Sequence, residues 1–181
     1  YCSSFDLPED GRDRLLELDV LDAPLEPAIE GAAVVIHLAA ITNAAGSFDM
    51  REKVERENYS ATERVAAACL ATGAALVNIS STSVYGTQKD IVDESCSEED
   101  LKPQSPYAET KLKEEALLAR LGAEQGLDFV TCRFGTIFGV SPGMRFHTAV
   151  NKFCWQAVNR QPLTIWRTAL HQYRPYLDLR D

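Results

Sequence analysis

The chain has 181 residues, of which 45% are hydrophobic and 8% aromatic, which suits one globular domain with part of a second and argues against disorder. A formal net charge of -9, from 18 basic and 27 acidic side chains, argues against nucleic acid and anionic membranes as partners. The five cysteines show no metal-ligand spacing and no Cys-x-x-Cys pair, so we expect free thiols, no metal site and a cytoplasmic location.

Short apolar runs alternate with helical patterns in the first half of the chain. Residues 15–20 predict a short strand, and the continuous apolar run 33–38 predicts a strand that is covered on both faces. Residues 48–72 have a helical pattern that stops at Gly73, and residues 75–79 predict the next strand.

The second half of the chain continues this alternation. Ser105 as N-cap and Pro106 as first helical residue open a second long helix, which we expect to break at 122–126. The further predicted elements are an acidic surface stretch at 93–100, a strand at 128–134, a third helix from about Phe146 to Ala157, and extended pieces at 163–166 and 173–178. The alternation predicts the α/β class, with a parallel sheet that has helices on both faces and ligands at the carboxyl ends of its strands.

Tyr107 and Lys111 are four residues apart in the predicted second long helix, so they share one face. A Lys ammonium beside a phenol favours the phenolate and lowers the Tyr pKa, which would make this Tyr an acid–base catalyst near neutral pH. The spacing alone favours the alternative, a surface Tyr and Lys that meet by chance.

Two further segments follow predicted strands. The hydroxyl-rich residues 80–83 could hydrogen-bond a substrate alcohol or carbonyl, although alone they favour an ordinary Ser/Thr turn. After the earlier strand, the small residues at 39–40 would let a ligand approach the backbone. We interpret His37 as a core histidine rather than a catalyst.

In combination and in this order, these segments resemble the extended short-chain dehydrogenase/reductase family, and within it the NAD-dependent sugar-nucleotide epimerases and dehydratases. The matching stretches are VVIHLAA, ENYSATERVAAAC, NISSTSVYG, SPYAETKLKEE, CRFGTIFG and YRPYLDLRD. The resemblance runs from about residue 15 to the end. It implies a Rossmann-type doubly wound parallel sheet at 1–140, which binds NAD(P), and part of a small C-terminal substrate-binding lobe at 141–181.

The resemblance also implies roles for individual residues. Tyr107 would be the catalytic base, Lys111 would bind the nicotinamide ribose and depress the Tyr pKa, and Ser81 would be the catalytic hydroxyl. The implied cofactor contacts are Asp6, Asp19, Val20, Leu38, Ala39, Ala40, Asn58, Ile79, Tyr107, Lys111 and Phe134. The implied substrate contacts are Ser83, Thr136, Asn151 and Arg174.

The sequence departs from the family pattern in several places. The glycine-rich loop that meets the pyrophosphate is absent, and because the chain opens without Met we expect it upstream of Tyr1, in a chain that is a fragment at both ends. Asp6 is either the acid that grips the adenosine ribose, which favours NAD over NADP, or part of a Ser/Thr surface turn. Ser81-Thr82-Ser83 replaces the Thr-Asp-Glu of the dehydratases, which argues against water elimination. Thr136 replaces the more usual Asn.

The function that the resemblance implies is an NAD-dependent sugar-nucleotide epimerase. The alternatives are a one-way NAD(P)H reductase of the same family and a non-catalytic cofactor-sensing or scaffold relative. The implied partners are a nucleotide sugar and a second copy of the chain, in a homodimer through the helices at 48–72 and 105–121.

Overall fold

The computed structural model describes residues 16–42, 48–86, 92–141, 144–146, 148–165, 167, 170–171 and 173–181. Asp6 lies outside these residues. The described residues fall into two compact units, Leu16–Arg133 and Phe134–Asp181. The boundary that we predict at 140/141 between a cofactor domain and a substrate lobe stays a prediction.

The first unit is an alternation of strands and helices that forms one three-stranded sheet. Its elements in chain order are α1 (Glu26–Ile29), β1 (Val34–His37), α2 (Arg51–Thr72), β2 (Ala75–Ser81), two 3₁₀ helices (Thr82–Tyr85 and Glu98–Asp100), α3 (Pro106–Gln125) and β3 (Phe129–Phe134). The strands lie in the order β1-β2-β3. β1 and β2 are parallel, in a register that pairs Val34 with Ala75 and His37 with Asn78. This α/β arrangement agrees with the predicted fold class.

The core of this unit lies between the sheet and its two long helices. α2 and α3 pack against each other and against β2. Leu76 of β2, Ala66 and Cys69 of α2, and Leu118 of α3 are all fully buried in one apolar cluster. Their burial removes apolar surface from water, which is the main favourable contribution to folding.

Local signals set the ends of the long helices. The Ser105 hydroxyl accepts a hydrogen bond from the Ala108 N–H at 3.2 Å, which confirms the predicted N-cap of α3. α2 stops at Gly73 and α3 at Gly126, both of which have a φ of +75°, where a side chain would be strained. α3 continues through Gly122 and ends at Gln125, within the predicted break at 122–126. A Cβ at Gly122 would lie 2.8 Å from the Phe129 ring, so the glycine lets the helix pass close to β3.

Other predictions for the first unit are corrected. Residues 16–20 form no strand. A turn follows instead, closed by the Ala23 N–H, which donates to the Asp19 carbonyl at 2.8 Å. The Arg64 guanidinium also donates to the carbonyls of Val20 and Ala23, at 2.8 and 2.5 Å. β1 is not covered on both faces by the described residues, since Val34 is 53% and Ile36 62% exposed on the face away from the long helices.

The second unit contains β4 (Thr136–Phe138), α4 (Ala149–Val158) and β5 (Tyr176–Asp178). β4 and β5 form a parallel pair, in which Thr136 lies opposite Tyr176. The Thr136 N–H donates to the Pro175 carbonyl at 3.0 Å. A Cβ at Gly135 would lie 2.5 Å from the Pro175 oxygen, so the close approach of the two segments depends on this glycine. The extended piece predicted at 163–166 is not a strand at 163–165.

Candidate active site

Tyr107 and Lys111 lie on consecutive turns of α3. The Lys111 Nζ is 5.8 Å from the centroid of the Tyr107 ring. Lys111 is buried, whereas Tyr107 is half-buried. A buried ammonium acts through a lower effective dielectric than an exposed one, so its field at a neighbouring phenol is stronger than in water.

Ser81 ends β2 and caps the 3₁₀ helix Thr82–Tyr85, which packs against α3. Its Oγ accepts the Ser83 N–H at 3.2 Å and the Ser83 hydroxyl at 2.9 Å. Because a hydroxyl oxygen has one proton of its own, these two accepted bonds leave the Ser81 O–H to donate elsewhere. The chain then turns at Gly86, where a Cβ would lie 2.2 Å from the Lys102 carbonyl oxygen.

A buried polar cluster continues inward from Lys111. The Lys111 Nζ donates to the Glu114 Oε2 at 2.8 Å, and both side chains are almost fully buried. The Thr62 side chain of α2 stabilises the Glu114 carboxylate and so lowers the pKa of that group. The Thr62 Oγ1 is also 3.2 Å from the His37 Nε2. Thr62 of α2 therefore connects this cluster to β1 through its hydrogen bond with His37.

Burial governs the protonation of this cluster. It lowers the pKa of His37 from 6.5 to about 4, with a smaller contribution from the Lys111 charge. Burial also raises the pKa of Glu114, and this rise is opposed mainly by the Lys111 ammonium. The prediction of a core histidine at position 37 is confirmed, since this side chain is 5% exposed and hydrogen-bonded.

The lowered pKa of His37 predicts a loss of stability in mild acid. The unfolded chain takes up a proton at His37 near pH 6.5, whereas the folded chain does so only near pH 4. The contribution of His37 is therefore present above pH 6.5 and lost as the pH falls to 4, by about 3 kcal/mol in total. Urea unfolding at several pH values gives the slope of the unfolding free energy against pH for the wild type and for His37→Gln, and the two slopes should differ. The exposed His171, changed to Gln, is the control, and equal slopes for all three proteins would contradict the prediction.

Asn58 holds the loop that follows β1. Its Oδ1 accepts the Ile41 N–H at 2.8 Å, and its Nδ2 donates to the Ile41 carbonyl at 3.1 Å. Asn58 itself is buried in α2. The two bonds fix the backbone after β1, where Leu38 is 68% exposed and Ala39 is also exposed. Asn58 therefore acts on the predicted cofactor segment 38–40 through the loop backbone.

An ion pair supports the other side of the serine turn. The Arg133 guanidinium of β3 donates to both carboxylate oxygens of Glu115, to Oε1 at 3.1 Å and to Oε2 at 2.6 Å. Glu115 also accepts from the Ser80 hydroxyl at 2.5 Å. The Arg133 guanidinium lies 4.9 Å from the centroid of the Tyr85 ring. The pair thus joins α3, β2, β3 and the 3₁₀ helix next to Ser81.

The remaining predicted cofactor residues of the first unit have structural contacts of their own. The Asp19 Oδ1 accepts the Leu21 N–H at 2.9 Å in the turn before α1. Val20 is half-buried against the core cluster. Ile79 is half-buried in β2, on the face opposite Asn78 and Ser80.

Four predicted residues lie in the second unit. Phe134 opens it, and Thr136 begins β4. The Asn151 side chain accepts the Gly139 N–H at 3.2 Å and donates to the Arg145 carbonyl at 3.1 Å, so it organises its own unit. Arg174 is exposed. Their roles toward a substrate stay predictions.

The sequence analysis missed Glu114, Thr62, Glu115 and Arg133. The i,i+3 spacing of Lys111 and Glu114 was a usable signal, because residues three apart on a helix are neighbours. Nothing local pointed to Thr62 or Arg133, since each meets its partner only across the fold. The described residues include no cluster of three or more His, Cys, Asp or Glu side chains that could hold a metal ion.

The first unit is thus an α/β fold in which α3, the helix that carries Tyr107 and Lys111, packs against the 3₁₀ helix that Ser81 caps. The chain belongs to the NAD dependent epimerase/dehydratase family, whose sequence profile matches residues 2–181. None of the helices that the structure describes is long and apolar enough to cross a bilayer.

Individual relatives agree with this family. The chain is 34% identical over 164 residues to an uncharacterized UDP-glucose epimerase, YtcB, of Bacillus subtilis (strain 168), covering 88% of this chain and 49% of that one. A UDP-N-acetylglucosamine 4-epimerase from Methanobrevibacter ruminantium M1, solved with UDP-N-acetylmuramic acid, has a TM-score of 0.79 at 27% identity, covering 90% of this chain and 53% of that one. A UDP-glucuronic acid 4-epimerase from Bacillus cereus, solved with UDP-glucuronic acid and NAD, has a TM-score of 0.76 at 29% identity, covering 89% and 50%. The chain spans about half the length of these relatives.

Proposed function

We propose that the chain supplies the catalytic part of an NAD-dependent sugar-nucleotide epimerase. The observation that carries this proposal is the buried Lys111 ammonium, 5.8 Å from the Tyr107 ring, on a helix that packs against the Ser81 turn. A cation, a phenol and a hydroxyl are the groups needed to remove a proton from a sugar alcohol and to hold the resulting carbonyl. Relatives solved with UDP-sugars and NAD support the assignment.

The residues after β1 fit a dinucleotide. Leu38 and Ala39 are exposed and small or apolar, and Asn58 fixes the following backbone through both of its amide atoms. A flat ring can lie against such a segment without desolvating charged groups. Lys111, Tyr107 and the loop at 38–42 are the residues that would hold the nicotinamide end. NAD is favoured over NADP by the resemblance of the chain to NAD-dependent enzymes.

The proposed chemistry divides between these side chains. Lys111 favours the phenolate of Tyr107, and Tyr107 takes the proton of the sugar hydroxyl. Ser81 donates its remaining O–H to the same oxygen and orients it. When bound, NAD supplies a hydride acceptor and donor. Return of the proton from Tyr107 completes the interconversion of the two epimers.

The same residues bear on the alternative functions, which are water elimination, a non-catalytic scaffold and a one-way reductase. Ser81-Thr82-Ser83 carries no carboxylate, so this turn offers no acid for water elimination. Ser81, Tyr107 and Lys111 are all present, which argues against a non-catalytic scaffold. A one-way reductase would use the same three groups and differs only in the fate of the hydride. Thr136, Asn151 and Arg174 are proposed to meet the nucleotide sugar, with Arg174 on a phosphate, and a homodimer through α2 and α3 remains part of the proposal.

The test is turnover by the complete protein. Incubation with NAD and either UDP-glucose or UDP-glucuronic acid should give an epimer of the sugar, detected by NMR, without net accumulation of NADH. Net consumption of NADPH or NADH with a keto-sugar would instead identify a reductase. Absence of both NAD binding and turnover would reject the proposed function.

A further inference from the structure

We infer that Glu114 is a positioning residue, which holds the Lys111 ammonium in its charged form beside Tyr107. This inference rests on the proposed function and adds to it a residue outside the Ser81, Tyr107 and Lys111 group. The observation that carries it is the buried ion pair between Lys111 and Glu114. The Lys111 Nζ is 2.8 Å from the Glu114 Oε2, and the two side chains are 4% and 0% exposed.

A buried ammonium needs a partner. Removing a Lys from water is costly, and the loss of a counter-charge at hydrogen-bond distance favours the neutral form of a buried Lys. A neutral Lys111 would no longer stabilise the phenolate of Tyr107. Glu114 therefore acts on the reacting oxygen through Lys111, without touching it.

The groups around Glu114 determine whether its carboxyl is charged. Thr62 of α2 stabilises the carboxylate, and the Thr62 Oγ1 is hydrogen-bonded to the Nε2 of His37 on β1, at 3.2 Å. The charged groups that act on Glu114 are Lys111, which favours its carboxylate, and Glu115, which opposes it. His37 is neutral, because burial lowers its pKa to about 4, so it adds no competing cation near pH 7. The Glu114 Oε1 is buried without a hydrogen-bond partner among the described residues, whereas the Oε2 accepts from Lys111 at 2.8 Å.

The experiment compares Glu114→Gln with the wild type in the complete protein. The amide keeps the shape and can still accept from Lys111, but it lacks the charge. In the pH profile of log kcat/KM for a UDP-sugar, the acid limb should move to higher pH by about one unit or more. This is the effect expected when Tyr107 loses the positive charge of Lys111 beside it. Glu114→Asp keeps the charge and should return the limb most of the way to its wild-type position. Glu124→Gln, at an exposed position of α3, is the matched control.

A second readout does not depend on turnover. The phenolate of Tyr107 can be titrated by difference absorbance in the cofactor-free protein, with Tyr107→Phe as the reference. In Glu114→Gln this titration should move to higher pH, as the acid limb does. If the wild type turns over no nucleotide sugar, the proposed function fails while this titration still tests the pair. A purely structural role would lower the thermal midpoint and leave both pH profiles in place.

An acid limb and a phenolate titration that are unmoved in folded Glu114→Gln would overturn the inference. If Glu114→Gln does not fold, Thr62→Val decides in its place. This nearly isosteric change removes the hydroxyl that stabilises the carboxylate, so the acid limb should move in the same direction by a smaller amount. An unmoved limb in Thr62→Val would then overturn the inference.

Discussion

Tyr107→Phe in the complete protein is expected to lower kcat for a nucleotide sugar on the order of 10²–10⁴-fold, the contribution typical of a positioned acid–base group. The substitution removes only the phenolic oxygen. The ring stays beside Lys111, whose Nζ lies 5.8 Å from its centroid. Affinity for NAD, measured by calorimetric titration, should therefore change little.

The control for this variant is Tyr173→Phe, because Tyr173 is 100% exposed. It loses the same phenolic oxygen from a fully exposed side chain of the second unit. A Tyr107→Phe enzyme with wild-type kcat would show that another group takes the proton, and the assignment of Tyr107 would be wrong. A loss of NAD affinity that matched the loss of kcat would instead assign Tyr107 to cofactor binding.

Glu115→Ala is expected to lower the free energy of unfolding by about 3 kcal/mol or more, because it leaves the Arg133 guanidinium partly buried without its counter-ion. The side chains of Arg133 and Glu115 are only 21% and 15% exposed. The Arg133 Nη2 lies 2.6 Å from the Glu115 Oε2. Arg133 donates hydrogen bonds to Glu115, and without them its guanidinium still keeps its charge, because arginine does not lose its proton in proteins. The Ser80 hydroxyl loses its acceptor in the same step. Urea unfolding of the complete protein gives the measurement.

Glu109→Ala is the matched control. Glu109 pairs with Arg51 at the same distance, 2.6 Å, but the two side chains are 38% and 52% exposed. Exposed pairs contribute roughly 0–1 kcal/mol, because water screens the charges and the side chains lose conformational freedom. Equal losses in the two variants would show that burial does not set the strength of the Glu115 pair.

The local structure around the candidate site could be read from the sequence. Ser105 and Pro106 opened α3, and Gly126 ended it, because caps and helix breakers act within a few residues. The four-residue spacing placed Tyr107 and Lys111 on one face of that helix for the same reason. β2 and β3 were predicted from their apolar runs to within two residues at each end. The α/β class followed from the order of these elements.

The tertiary structure decided which side chains of different helices and strands contact each other. Glu114 and Glu115 are adjacent in sequence, yet Glu114 pairs with Lys111 inside the fold and Glu115 with Arg133 of β3. The partners Thr62 and Arg133 come from other parts of the chain, so no local period could predict them. The same limit explains β1, whose apolar run predicted two covered faces although the described residues cover only one. Periodicity reports which side chains avoid water, whereas the element that covers them is set by packing over long sequence distances.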